Sequence, residues 1–189
     1  MELVQTLEPG RFTLADLDAL PDDGMRYELV DGQLLVTPAP LPIHQRAVIQ
    51  FSIRLQPACP EDLEVFVAPF DFRPTNRRWS LQPDLLVCRC EEVGPKGVER
   101  PLLLAVEILS PSTRSTDLLL KRGLYEQAGV ASYWIFEPEA AVLTVLELVN
   151  GHYVERAVVK DDEAFDAELP FAVRVVPAEL VRRVNRSAT

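Results

Sequence analysis

Two carboxylates stand inside apolar runs where a strand would ordinarily exclude them. Asp84 lies in Gln82-Pro83-Asp84-Leu85-Leu86-Val87, and Glu107 in Leu103-Leu104-Ala105-Val106-Glu107-Ile108-Leu109-Ser110. An unpaired charge in such a run is costly, so each needs a partner or a cation. Glu107 follows Asp84 by 23 residues. That is enough for a strand, a loop and the neighbouring strand, so both acids can meet at one end of adjacent strands. Paired carboxylates at a sheet edge suit a hard cation such as Mg²⁺, which takes oxygen ligands and keeps several waters. Lys121 lies 14 residues after Glu107, among Leu118, Leu119, Leu120 and Leu124. Part of that segment must face the sheet, and its lysine can reach the strand ends, position a water and offset phosphate charge. Taken singly, each acid also reads as a solvated strand-end carboxylate and Lys121 as a surface lysine. Together they point to metal-assisted phosphodiester chemistry.

The flanking elements must hold these groups in place. Thr13, with Asp16 three residues on, caps a short helix over Leu14 to Leu20 that stops at Pro21. Asp31-Gly32 between Tyr27 to Val30 and Gln33 to Thr37 predicts a hairpin. From Ile43, the spacing of Ala47, Phe51 and Leu55 predicts a helix ending near Pro57. Leu63 to Phe72, broken by Pro69, reads as an edge or bulged strand. Gln82 to Arg89 and Leu102 to Leu109 read as strands buried on both faces, with a loop over Cys90 to Arg100 between them. A helix over Asp117 to Gln127, capped by Ser115 or Thr116, ends at Gly129. Strands over Ala131 to Phe136, Val142 to Val149 and, past the Asn150-Gly151 turn, Tyr153 to Val159 follow. A last helix is expected from Pro177 to Val184. This order predicts an α+β fold with a mixed sheet and helices on both sides.

The composition narrows the setting. A length of 189 residues fits one domain spanning 1–189. The net charge of −10 argues against tight non-specific DNA binding, while leaving room for a small cationic cleft or metal ions. The N-terminal residues, with Glu2 and Glu8, do not read as a secretory signal, and no apolar run approaches a membrane span. A cytoplasmic protein without disulfides is expected. Cys88 and Cys90, two apart, are expected on one strand face. With no second cysteine pair, a structural zinc site is not expected. Trp79, Tyr133, Trp134 and Phe136 read as core, and no Gly-rich phosphate loop occurs.

Tyr27-Glu28-Leu29-Val30-Asp31-Gly32, His44, Pro83-Asp84-Leu85, the block Val106-Glu107-Ile108-Leu109-Ser110-Pro111-Ser112-Thr113, Lys121, Tyr125 and Tyr133-Trp134-Ile135 together resemble the Uma-two-type restriction endonucleases of the PD-(D/E)XK nuclease superfamily. The resemblance runs from roughly Phe12 to Tyr153. It implies a restriction-endonuclease-like mixed sheet flanked by helices, a Mg²⁺ cofactor with Mn²⁺ as substitute, and DNA as substrate. It also implies metal ligation by Asp84, Glu107 and the backbone carbonyl of Ile108. The superfamily lysine two residues after the second acid is Leu109 here, so the resemblance implies that Lys121 takes its place from the following helix. Glu28 resembles the superfamily's early acid, which binds or orients metal, and His44 is expected to contact the scissile phosphate or to order Glu28. Enzymes of this kind commonly work as homodimers.

Other residues admit two readings. Ser110, Ser112, Thr113 and Arg114 suit a phosphate, and suit a helix cap better. Arg73, Arg77 and Arg78 can touch a DNA backbone or sit on a solvated loop. Two alternatives to a nuclease stay open: a non-catalytic module of the same fold, and a metal-dependent phosphoesterase acting on a small molecule in a closed pocket.

Overall fold

The computed structural model describes residues 5–7, 11–21, 23–37, 39–75, 78–110 and 116–182. Strand β1 (Gln5–Leu7) leads to helix α1 (Leu14–Asp18). The Thr13 hydroxyl accepts from the Asp16 N–H at 3.2 Å while Asp16 Oδ2 accepts from the Thr13 N–H at 2.8 Å, a reciprocal cap on two of the helix's orphan donors. Strands β2 (Arg26–Val30) and β3 (Gln33–Thr37) form the expected hairpin. Asp31 and Gly32 carry φ of 47° and 82°, the positive pair that matches a two-residue turn to strand twist. β1 pairs with β3, giving a three-stranded sheet of order β1-β3-β2.

Helix α2 (Pro42–Ala58) buries Ala47, Gln50, Phe51 and Leu55. It ends one residue past Pro57, near the expected stop.

The main sheet is built from β4 (Leu63–Val67), β5 (Leu85–Arg89), β8 (Leu104–Ile108), β9 (Ser132–Glu137), β10 (Val142–Val149) and β11 (His152–Lys160). Between β5 and β8, a 3₁₀ turn (Cys90–Glu92) and a two-residue ladder of β6 (Val93–Gly94) with β7 (Gly97–Val98) occupy the segment expected as plain loop. The strand order is β11-β10-β9-β8-β5-β4, with β4 at the edge. β8 and β9 are parallel and every other neighbour pair in this sheet is antiparallel. The parallel pair needs a crossover. A π-type turn (Thr116–Lys121) and helix α3 (Arg122–Ala128) supply it, closed by Gly129 at φ 75°. A small hairpin of β12 (Phe165–Ala167) and β13 (Val173–Val175), too short to leave a periodic signal, follows, and then helix α4 (Pro177–Leu180), which begins where expected and is shorter than the span to Val184. Ser115 and residues 183–189 lie outside the described residues.

Alternation along β8 and β9 sorts the core into two layers. Leu104, Val106, Ile108, Trp134 and Phe136 pack with Ala47, Phe51 and Leu55 of α2, whereas Ala105, Leu109, Tyr133 and Ile135 pack with Leu124 and Tyr125 of α3. Glu107, two residues from Ala105 and from Leu109, therefore belongs to the α3 face.

β5 ends at Arg89, so Cys88 and Cys90 do not share a strand face: Cys88 is buried and Cys90, in the turn, is exposed. Burial first, then Glu64, pushes the Cys88 thiol up to about 12. Iodoacetamide should therefore label Cys90 and spare Cys88 in the native protein from about pH 8 to about pH 10, whereas the urea-unfolded chain should label at both. Peptide mass mapping distinguishes the two sites.

Candidate active site

β5 begins one residue after Asp84, and β8 ends one residue after Glu107. Leu85 pairs with Val106 in antiparallel register, so one further step of the ladder sets Asp84 against Glu107. The β2–β3 hairpin docks beside the chain leading into β5 through reciprocal 2.9 Å bonds between Leu29 and Ser80. That brings Glu28 to the same place, where its Oε1 accepts the Gln82 N–H at 2.8 Å. Lys121 closes the group from the crossover. Its Nζ is 3.0 Å from Glu28 Oε1 and 3.0 Å from Glu107 Oε1. His44, in the first turn of α2, approaches from the other layer, with Nε2 3.0 Å from Asp84 Oδ2. The Ile108 N–H donates to that same oxygen at 2.7 Å.

Glu28, His44, Asp84, Glu107, Ile108 and Lys121 thus converge from five separate stretches of chain. His44 faces Asp84, not Glu28. The acids and the lysine are enclosed: Glu28 and Asp84 are 2% exposed, Lys121 1% and Glu107 0%.

Three further residues complete the network. The Tyr125 hydroxyl donates to Glu107 Oε1 at 2.6 Å, Gln82 holds Glu28 as described, and Arg26 reaches all three acids. Arg26 Nη1 donates to Asp84 Oδ1 at 2.6 Å, and its Nη2 stands 3.6 Å from Glu28 Oε2 and 3.9 Å from Glu107 Oε2. Two of these were readable. Arg26 is two residues before Glu28 on a strand and so shares its face. Tyr125 is four residues after Lys121 and so shares its helical face.

The electrostatics follow from this pairing. Burial pushes the Asp84 carboxyl up, but Arg26 and then His44 outweigh it and hold the group well below the usual carboxylate range. Burial likewise raises Glu28, and Lys121 followed by Arg26 more than offsets it. The Tyr125 phenol is driven well above its ordinary value by burial and then by Glu107, so it remains a donor.

The arginines expected near DNA divide. Arg73 is engaged by Asp18 at 2.7 Å and Asp71 at 2.6 Å and is partly buried. Arg78 lines a cavity of about 610 Å³ with Arg11, Asp31 and Gly32, at the hairpin's turn and apart from the acidic cluster. Arg77, Ser112, Thr113 and Arg114 lie outside the described residues.

An all-oxygen donor set of three carboxylates has the chemistry that fits a hard divalent cation. Among the described residues, however, no three His, Cys, Asp or Glu side chains stand in ligating arrangement around one point. The acids gather around the Arg26 guanidinium and Lys121 instead.

Comparison with known proteins agrees with the fold. The family model Uma2, described as "Putative restriction endonuclease", matches residues 14–179. A crystal structure of a "putative nuclease belonging to DUF820" from Anabaena variabilis ATCC 29413 is similar, with a TM-score of 0.65 and 18% sequence identity over 90% of this chain and 97% of that one. The similarity shows the fold: the α+β architecture with a mixed sheet and flanking helices that the sequence predicts. No curated protein matches the chain.

Proposed function

The chain belongs to the Uma2 putative restriction endonuclease family, and on that premise we propose that it is a metal-dependent endonuclease hydrolysing DNA phosphodiester bonds, acting as one domain over 1–189. The observation that carries this reading is the meeting of Asp84, just before β5, and Glu107, within β8, with Glu28 and Lys121, whose ammonium stands 3.0 Å from both Glu28 and Glu107.

Asp84 and Glu107, with the Ile108 carbonyl and with Glu28 in support, would hold Mg²⁺ or Mn²⁺. When bound, such an ion polarises a phosphate oxygen and makes a bound water more acidic. Lys121, held by Glu28 and Glu107, presents a fixed ammonium that orients the attacking water and offsets charge developing on the phosphate. His44 and the Ile108 N–H fix the Asp84 carboxylate from one side. The Tyr125 hydroxyl fixes Glu107 in the same way.

Cutting both strands of a duplex would take two copies, arranged as a symmetric homodimer. A cytoplasmic setting belongs to the same reading. Among the described residues no helix is long and apolar enough to cross a membrane.

A second reading, a non-catalytic module, draws on the closure of the cluster, whose acids are already paired within the protein. The two separate on incubation with supercoiled, linear duplex and single-stranded DNA, with Mg²⁺ or Mn²⁺ and with EDTA. Cleavage of at least one DNA form with metal, and none with EDTA, is expected. No product from any form with either metal would leave the non-catalytic reading.

A further inference from the structure

Arg26 has no part in the reaction scheme above, yet its guanidinium reaches every acid in it. Its Nη1 is 2.6 Å from Asp84 Oδ1, and its Nη2 is 3.6 Å from Glu28 Oε2 and 3.9 Å from Glu107 Oε2. Asp84 Oδ2 is already engaged by the Ile108 N–H and His44. Oδ1 is therefore the Asp84 oxygen through which a second cation would have to bind, and the guanidinium is on it. Two cations cannot fill one space between the same oxygens.

Three features make Arg26, rather than Lys121, the member that can leave. Its side chain is 18% exposed, whereas that of Lys121 is 1% exposed, so Arg26 borders solvent and Lys121 does not. Its Nε is buried with no hydrogen-bond partner among the described residues, so its present position leaves a donor unsatisfied. Two of its ion pairs are longer than a hydrogen bond, whereas Lys121 stands at 3.0 Å from Glu28 and from Glu107. Charge favours the exchange as well. Among these five described side chains, Glu28, Asp84 and Glu107 carry one charge more than Arg26 and Lys121, and a divalent ion in place of the guanidinium would offset that excess.

We propose that Arg26 is the resident counter-cation of this site: it competes with a divalent metal for Asp84, Glu28 and Glu107, and must swing toward solvent before metal is held. Arg26 thereby sets the metal affinity. The inference rests on the metal-dependent reading above. If the form with Arg26 displaced makes up about 1–10% of molecules, wild-type affinity is weakened about ten- to hundredfold, and removing the guanidinium recovers that factor.

The test is a Mn²⁺ titration by calorimetry on the full chain as wild type, Arg26→Gln and Arg26→Lys, with melting curves with and without Mn²⁺. Arg26→Gln is expected to bind Mn²⁺ about ten- to hundredfold more tightly than wild type. It is also expected to melt lower without metal and to gain more from metal. If Arg26→Gln does not fold, Arg26→Lys carries the test, with a smaller tightening expected because the charge remains on a slimmer group. Wild-type binding with equal or weaker binding by the folded variant would overturn the competition and leave the metal site standing. No binding by wild type or either variant would remove the metal-dependent reading itself, and the competition with it.

Discussion

Asp84→Asn should leave a folded protein that no longer cuts DNA. The asparagine is nearly isosteric and can keep the Ile108 N–H bond with its one carbonyl oxygen. Its amide nitrogen then meets the Arg26 guanidinium, a donor facing a donor where Oδ1 had accepted. Loss of that charged hydrogen bond should cost about 1.5–3 kcal/mol, a fraction of the total stability of an ordinary domain. The catalytic loss should be far larger. The variant removes the charge of one of the two acids proposed to hold the metal, and single charge-stabilising groups in active sites are worth on the order of 10²–10³ in rate. Cleavage should fall by on the order of 10³ or more, while far-UV circular dichroism stays unchanged. A wild-type rate in this variant would sink the proposed chemistry.

Lys121→Met should have the largest effect on stability. Met occupies a similar volume but brings no charge to Glu28 and Glu107, both 3.0 Å from the present ammonium and both buried. Removing one partner from a buried ion cluster costs about 3–5 kcal/mol, a large share of a typical stability of about 5–15 kcal/mol. In the wild type the folded-state Glu28 carboxyl sits below its ordinary value, so it stabilises the fold above its unfolded pKa and loses that contribution as the solution is acidified. Without Lys121 the burial effect loses its main counterweight and the carboxyl rises. The gap between wild type and variant, read from urea unfolding, should therefore narrow from about pH 7 to about pH 4. Lys121→Arg should not restore activity, because a guanidinium is too large for a site only 1% exposed.

Much of the site was legible because its acids break a pattern. Asp84 and Glu107 interrupt Leu/Val runs, and the cost of burying charge makes such interruptions informative. Lys121 was visible through the leucines around it. Glu28, His44 and Ile108 were reached by family resemblance, since nothing in their local spacing points to a cluster. The His44 contact with Asp84 was not legible, because it depends on how α2 crosses the sheet end. Arg26 was missed although its position two residues before Glu28 put it on the right face. Reading it as a site residue also required knowing that the β2–β3 hairpin docks on Ser80, a contact across about fifty residues of chain. The Cys88 and Cys90 pair failed for a different reason: alternation holds only while the strand lasts, and β5 ends between them. The hairpin signal at Asp31-Gly32 succeeded because turn chemistry is local.

If the acids around Glu107 hold a metal and use it to cut DNA, their loss must abolish metal binding and cleavage together. The most direct measurement is a calorimetric Mg²⁺ and Mn²⁺ titration of wild type and Glu107→Gln, followed by a cleavage assay on the same samples. Saturable binding and cleavage are expected in wild type, with both lost in the variant. Equal metal binding in the two proteins, or cleavage that persists in Glu107→Gln, would contradict the metal-dependent reading.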